Sequence, residues 1–337
     1  MPSGITESDG FACVGREPWH GLGTRVPSDA MTAVQALAAA DLDWTVRLDP
    51  VWRQITSGNL VGPSMERNPD YRFVVREDTE SVLGLVGSRY HVAQNVETFD
   101  FVDAIVGGGD AHYHTAGSLW GGRRVFLLVQ LKGDYRLDNG EALNSFILLD
   151  NSHDGTSALR MRLTKVRVVC QNTLDTASQG RAGFHARHTS GIMSRVVEAR
   201  NLLGLNDAHM SRYIAECNML AQEAWNDFDH EYLVRDLFSI DGRHELSELK
   251  GVTGAAARRA MELFHDGVGN AGETRWDAYN AITEFVDYHR PLKNRIESVD
   301  ADDEETNTYR LENSWFARGG QQWRSRAWEH LTSGIIA

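Results

Sequence analysis

Apolar residues in this chain change period part-way along it, and that change narrows the possible folds more than any other feature. Up to Cys170 they alternate or gather in short runs of β-formers: Trp44-Thr-Val-Arg-Leu48, Val51-Trp-Arg-Gln-Ile55, Arg72-Phe-Val-Val75 and Ser81–Val86, then 111–117, 123–132, 144–150 and 157–170. Runs of this kind, separated by turn residues, predict strands. After Cys170 the spacing becomes three-four. Met210, Tyr213, Ile214, Cys217, Leu220, Ala221 and Ala224 predict a helix over 207–225, capped by Asn206 or Asp207. Further helices are predicted over 255–265, closing at Gly267, and over 274–289, stopped by Pro291. Two helices interrupt the strands. One spans 32–40 behind a Thr32/Gln35 capping box, and one spans 96–106 behind Asn95 and ends at Gly107-Gly-Gly109. The order predicts an α+β fold: a largely antiparallel sheet with packed helices, followed by a helical C-terminal part. The expected organisation is an irregular segment over 1–30, a core domain over 31–200 and a mainly helical region over 201–337.

Composition removes several function classes. Of the 337 residues 42% are apolar, enough for a large core, but no apolar run approaches the ~18 residues of a membrane span. The start, MPSGITESDG, has no basic stretch leading into an apolar one, so no secretory signal is expected. Cys13, Cys170 and Cys217 are too few and too scattered for a disulfide framework or a cysteine zinc site. The reading is a cytoplasmic chain with free thiols and no cofactor. Gly107-Gly-Gly-Asp110 lacks the lysine and hydroxyl residue of a phosphate-binding loop.

Charge is unevenly spread. The net charge is −13, which disfavours indiscriminate binding to polyanions. Yet residues 121–200 hold twelve Lys/Arg against seven Asp/Glu, while the rest holds 22 against 40. Screening limits the reach of distant charge to about 10 Å, so one basic segment can act locally.

Within that segment lies Leu159-Arg-Met-Arg-Leu-Thr-Lys-Val-Arg-Val-Val169. Alternation places Leu159, Met161 and Leu163 on one strand face and Arg160 and Arg162 on the other. Thr164-Lys165 breaks the pattern as a β-bulge would, after which Lys165 and Arg167 rejoin the basic face. Four cations on a sheet suit phosphate, which arginine contacts in a bidentate way; pairing with the chain's own carboxylates is the structural alternative. Downstream, Arg181-Ala-Gly-Phe-His-Ala-Arg-His188 combines Arg181 and Arg187 with rings on which unpaired bases can stack. Catalytic candidates are His153 beside Asp154 in a turn, and Cys170 at a strand end. His112 and His114 share a strand face but lack a third metal ligand.

Five phrases carry a family resemblance: Pro18-Trp-His-Gly-Leu-Gly23, Gly87-Ser-Arg-Tyr-His-Val-Ala-Gln-Asn95, Asn151-Ser-His-Asp-Gly-Thr-Ser157, Val166-Arg-Val-Val-Cys-Gln-Asn-Thr-Leu174 and Trp276-Asp-Ala-Tyr-Asn-Ala-Ile-Thr-Glu284. In these the chain resembles, over about 10–290, the phage/plasmid-like proteins that carry the domain of unknown function 932. The resemblance implies a setting among DNA-metabolism genes and assigns no reaction. Together with the basic strand it leads to a functional expectation. This is a phage-type protein binding single-stranded DNA through Arg160, Arg162, Lys165, Arg167, Arg181 and Arg187, as a homo-oligomeric annealing factor. A nuclease or nucleotide hydrolase using His153/Asp154 or Cys170 is one alternative, and a non-enzymatic host-interaction protein is the other.

Overall fold

The computed structural model describes residues 9–14, 23–27, 30–55, 64–106, 112–167, 183–188, 191, 195, 197–199, 201, 206–242, 245–290 and 318–334. Two compact units divide the chain. One holds Met1–Gln130, Ile147–Arg162 and Gly183–Leu203; the other holds Leu131–Phe146, Leu163–Ala182 and Gly204–Ala337.

The first unit is built on strands β1 (Phe11–Val14), β2 (Thr24–Val26), β6 (His112–Leu119), β7 (Arg124–Gln130), β9 (Ala142–Ser152) from Ile147 onward, β10 (Leu159–Arg167) as far as Arg162, and β11 (Gly183–Ala186). Their order is β11-β10-β9-β7-β6-β1-β2; β1–β2 is parallel, while β1–β6, β6–β7 and β10–β11 are antiparallel. β1 falls within the segment expected to be irregular. Its four residues are all buried, so a short run that looks unremarkable in sequence is a sheet strand. β7 explains why the sheet forms: Val125-Phe-Leu-Leu-Val129 is buried on both faces, as the continuous apolar run requires.

Helix α1 (Ala33–Ala39) begins at Thr32, whose side chain accepts from the Gln35 N–H while Gln35 returns the bond to the Thr32 N–H. The expected capping box is present. Helix α2 (Asn95–Val106) buries Phe99, Phe101, Val102 and Ile105. Phe101 meets Phe184 of β11 at 5.4 Å between ring centroids, and Phe99 stacks on Tyr113 of β6 at 5.2 Å. Each fully buried Phe contributes on the order of 2 kcal/mol from area alone.

A separate three-stranded antiparallel sheet joins β3 (Val46–Ile55), β4 (Ser64–Arg76) and β5 (Ser81–Gly87). The two strands expected over 44–48 and 51–55 are one strand. Pro50 does not end it, because the ladder shifts register between Pro50 and Val51 and absorbs the missing donor at an irregularity.

The second unit is helical. Its elements are α3 (Asn206–Gln222), α4 (Asp227–Phe238), α5 (Gly251–Asp266), α6 (Arg275–Glu284), a π-helical continuation at Phe285–His289, and α7 (Arg318–Thr332). The two-residue strand β8 (Tyr135–Arg136) pairs with the Ala142–Leu143 end of β9. Leu220, Leu233, Leu263, Phe264, Tyr279, Ile282 and Leu331 are among the core residues exposed by less than 1%. His230 sits inside this core with Nε2 on the Ala260 carbonyl and its ring stacked on Phe264 at 4.5 Å; burial pushes its pKa down to about 4. Among the described residues no helix is long and apolar enough to cross a membrane.

Candidate nucleic-acid interface

β10 keeps the alternation that its sequence predicts. Leu159 and Met161 are buried opposite Ala186 and Phe184 of β11, while Arg160 lies opposite His185 and Arg162 opposite Gly183. The alternation stops where the pattern breaks, for Leu163 is half-buried and Thr164 buried. Arg160 is not an uncommitted cation. Its Nη2 lies 2.8 Å and its Nε 3.1 Å from Oδ2 of Asp150, a carboxylate only 1% exposed. The guanidinium therefore compensates a buried charge, though 39% of the Arg160 side chain remains exposed. Arg162 is half-buried and Arg187 exposed. Lys165 and Arg167 continue the strand, but their side chains, with Arg181 and Cys170, lie outside the described residues.

The same end of the sheet gathers a second set of cations that the strand pattern does not reveal. Three connections meet there: 88–94 after β5, Trp120–Arg123 between β6 and β7, and 153–158 between β9 and β10. The Tyr90 hydroxyl donates to the Ser152 carbonyl at 3.0 Å, and Asn151 Nδ2 donates to the Ala93 carbonyl at 3.0 Å. The His153 N–H donates to the Arg123 carbonyl at 2.8 Å, and the His91 N–H to the His188 carbonyl at 3.1 Å. Trp120, Gly121 and Gly122 have φ of 57°, 69° and 93° in succession. Asp9 pins that turn by accepting from the Gly121 and Gly122 N–H groups, both at 2.9 Å. A left-handed Trp is costly, and such strain persists only where the surroundings enforce it. The Trp120 ring carries the Arg124 guanidinium 5.7 Å from its centroid. Arg89, His91, Arg123, Thr156 and Arg187 are exposed around this network. Among the described residues Arg89 and Arg123 make no ion pair.

Beneath the loops lies a dry polar layer. His153 is wholly buried, with its ring edge-on to Trp44 at 5.4 Å. Asn95 donates from Nδ2 to the carbonyls of Leu42 and Trp44, which leaves its Oδ1 to accept from His153 Nε2 at 2.9 Å. That bond fixes the proton on Nε2 and leaves Nδ1 bare. The network also corrects an expectation: Asn95 is a buried clamp, and Glu97, accepting from the Gln94 N–H at 2.8 Å, serves the start of α2 instead. His188 is 7% exposed and stacks on Tyr90 at 4.8 Å. Burial pushes the pKa of His153 down to about 3, with His188 lowering it further, and burial pushes that of His188 down to about 4.

His153 and Asp154 do not form a dyad. The histidine points into the core, while the Asp154 carboxylate accepts from Ser152 Oγ at 2.5 Å, from Thr156 Oγ1 at 2.6 Å and from the Thr156 N–H at 2.9 Å. Burial alone would raise the pKa of Asp154, but these bonds and Arg124 outweigh it and hold it below the usual value. The turn is an Asx-type structure that shapes the β9–β10 connection. Among the described residues no group of three His, Cys, Asp or Glu side chains is placed to hold a metal ion.

A family model for a domain of unknown function, DUF932, matches residues 82–315. The chain belongs to the DUF932 family. The DUF932 match begins in β5, so it takes in all three loops, β10 and β11, and leaves β3 and β4 outside. No curated protein matches the chain, and no solved structure does. Two phrases of the family resemblance, 87–95 and 151–157, are hydrogen-bonded to each other at this site through Tyr90 and Asn151.

Proposed function

We propose that this protein binds single-stranded DNA along the β10–β11 edge and the adjoining loops. The observation that carries this reading is the set of exposed arginines, Arg89, Arg123 and Arg187, held on a rigid network beside the half-exposed Arg160. Short, braced loops hold the backbones that carry these cations, so the ordering cost of contacting a phosphate backbone falls mainly on the side chains. The half-buried rings of Trp120 and Tyr90 lie in the same loops, and accessible ring faces beside cations suit unpaired bases. Phosphate contacts are indifferent to base identity, so the binding is sequence-tolerant. A strand longer than one such site requires several protomers side by side, which makes a homo-oligomer and a phage-type annealing role in recombination the fuller form of the proposal.

The test compares wild type with Arg89→Ala/Arg123→Ala and with Arg160→Ala/Arg162→Ala on oligonucleotides of several sequences. Loss of affinity on every sequence alike supports the proposal. Two folded double variants that bind like wild type refute it. Because Arg160 neutralises Asp150, the second variant is checked beside Arg160→Ala/Arg162→Ala/Asp150→Asn, which removes the orphaned charge.

A further inference from the structure

β3 and β4 run on well past the strand that completes their sheet. β5 pairs with β4 only over Tyr71–Arg76. Beyond that, among the described residues, Val51–Ile55 and Ser64–Asn68 pair only with each other, with Val51 opposite Asn68, Trp52 opposite Arg67, Arg53 opposite Glu66 and Gln54 opposite Met65. The two-stranded arm leaves the sheet at a built elbow. Pro50 pairs with Arg72 and Val51 with Asn68, so Pro69, Asp70 and Tyr71 have no counterpart on β3. Arg72 Nη1 pins these residues by donating to the carbonyls of Asn68 and Pro69 at 3.3 Å and of Tyr71 at 2.7 Å. The Asp70 carbonyl accepts from the Ser88 N–H at 2.8 Å, in the loop that carries Arg89.

The arm has two unlike faces, because directly opposed residues in an antiparallel pair share a face. One face holds the Arg53–Glu66 ion pair, with Arg53 Nε 2.8 Å from the carboxylate. The other holds Trp52, Gln54, Met65 and Arg67. Trp52 is 50% exposed and Met65 56%. Arg67 is exposed and makes no ion pair among the described residues. An isolated two-stranded hairpin is marginal in water, and a half-exposed Trp on one is surface awaiting a partner. Charge indicates which partner. Residues 51–68 carry Arg53 and Arg67 against Glu66, so the arm is net positive on a chain of −13, and its one unmatched charge is the cation directly across from the indole. A flat ring and an unpaired guanidinium on adjoining strands match a base and its phosphate.

We infer that the β3–β4 arm is a second contact for single-stranded DNA, with Trp52 stacking on a base and Arg67 meeting the backbone. This rests on the binding proposed above and assigns part of it to residues outside the DUF932 match. Stacking on a protein ring is worth about 5- to 150-fold in affinity per base.

The experiment measures affinity for labelled oligothymidylate and for an abasic strand of the same length, using wild type, Trp52→Ala, Trp52→Phe and Arg67→Ala. On oligothymidylate Trp52→Ala binds at least about fivefold more weakly, while Trp52→Phe retains most of the affinity. On the abasic strand Trp52→Ala matches wild type, and Arg67→Ala is weaker on both. Wild-type binding to oligothymidylate that is undisturbed in Trp52→Ala overturns the arm and spares the parent proposal. Wild type that binds neither strand overturns both. If Trp52→Ala changes the oligomeric state in light scattering without changing the affinity, the arm holds a second copy of the chain, and the inference fails.

Discussion

Acidification provides a quantitative test of the buried histidine layer. His153 and His188 stay neutral in the folded protein down to about pH 3 and 4 respectively. In the unfolded chain a histidine takes up its proton near pH 6.5. Between those limits the unfolded state binds more protons, so stability is complete above pH 6.5 and falls as the pH falls. At pH 5 the solution is about 1.5 pH units below the unfolded value, and each neutral ring forgoes about 2 kcal/mol. The pair together costs about 4 kcal/mol, a large share of a typical stability of ~5–15 kcal/mol. The assay is urea unfolding followed by tryptophan fluorescence at pH 7 and pH 5, comparing wild type with His153→Gln/His188→Gln. Glutamine keeps a donor for Asn95 Oδ1 and cannot titrate. The variant starts less stable at pH 7 but loses about 4 kcal/mol less on acidification. His230 contributes equally to both proteins and cancels from the difference. Equal losses in the two proteins would show that the rings are not held neutral in the core.

Two further outcomes follow from packing. Asp287→Ala removes a buried carboxylate from the ion pair with the buried Arg324 guanidinium and costs about 3–5 kcal/mol, read as a fall in the thermal midpoint of the helical unit. Gly84→Ala places a Cβ 2.5 Å from Asp154 Cα, so β5 and the β9–β10 turn must part; the cost is about 1–3 kcal/mol by urea unfolding, with Gly242→Ala, which meets nothing within 4 Å, as the neutral control.

Legibility in the sequence followed physical range. Features governed by local period were readable: the α1 capping box, the β6, β7 and β9 runs, the alternation of β10, and α3, α5 and α6. Helix α4 was not anticipated, although His230, Leu233, Val234 and Leu237 have helical spacing. A histidine takes one core position, while Phe228 at 81% and Tyr232 at 64% exposure stand on the outer face and blur the amphipathic signal. The single β3 strand was split because Pro50 reads as a break, and only the facing strand reveals that the ladder resumes. For the site, sequence placed Arg160 and Arg162 correctly on the polar face, but Asp150 sits ten residues away and its claim on Arg160 is a tertiary fact. Arg89 and Arg123 were missed for the same reason. They belong to loops far apart in the chain, and nothing in their local spacing points to a common end of one sheet. The phrases 87–95 and 151–157 held a usable signal, since their Asn, His and Tyr residues turn out to brace that end.

The central claim is the proposal that arginines on the β10–β11 edge and its braced loops hold a phosphate backbone. The most direct measurement is the salt dependence of wild-type binding to single-stranded DNA, followed by fluorescence anisotropy. Contacts from Arg89, Arg123, Arg160 and Arg187 predict that the logarithm of the affinity falls against the logarithm of salt with a slope of about −3, since each phosphate contact contributes about −0.7. Arg89→Ala/Arg123→Ala then brings the slope to about −1.4. A slope near zero, the same slope in the variant, or no binding at low salt would contradict the account.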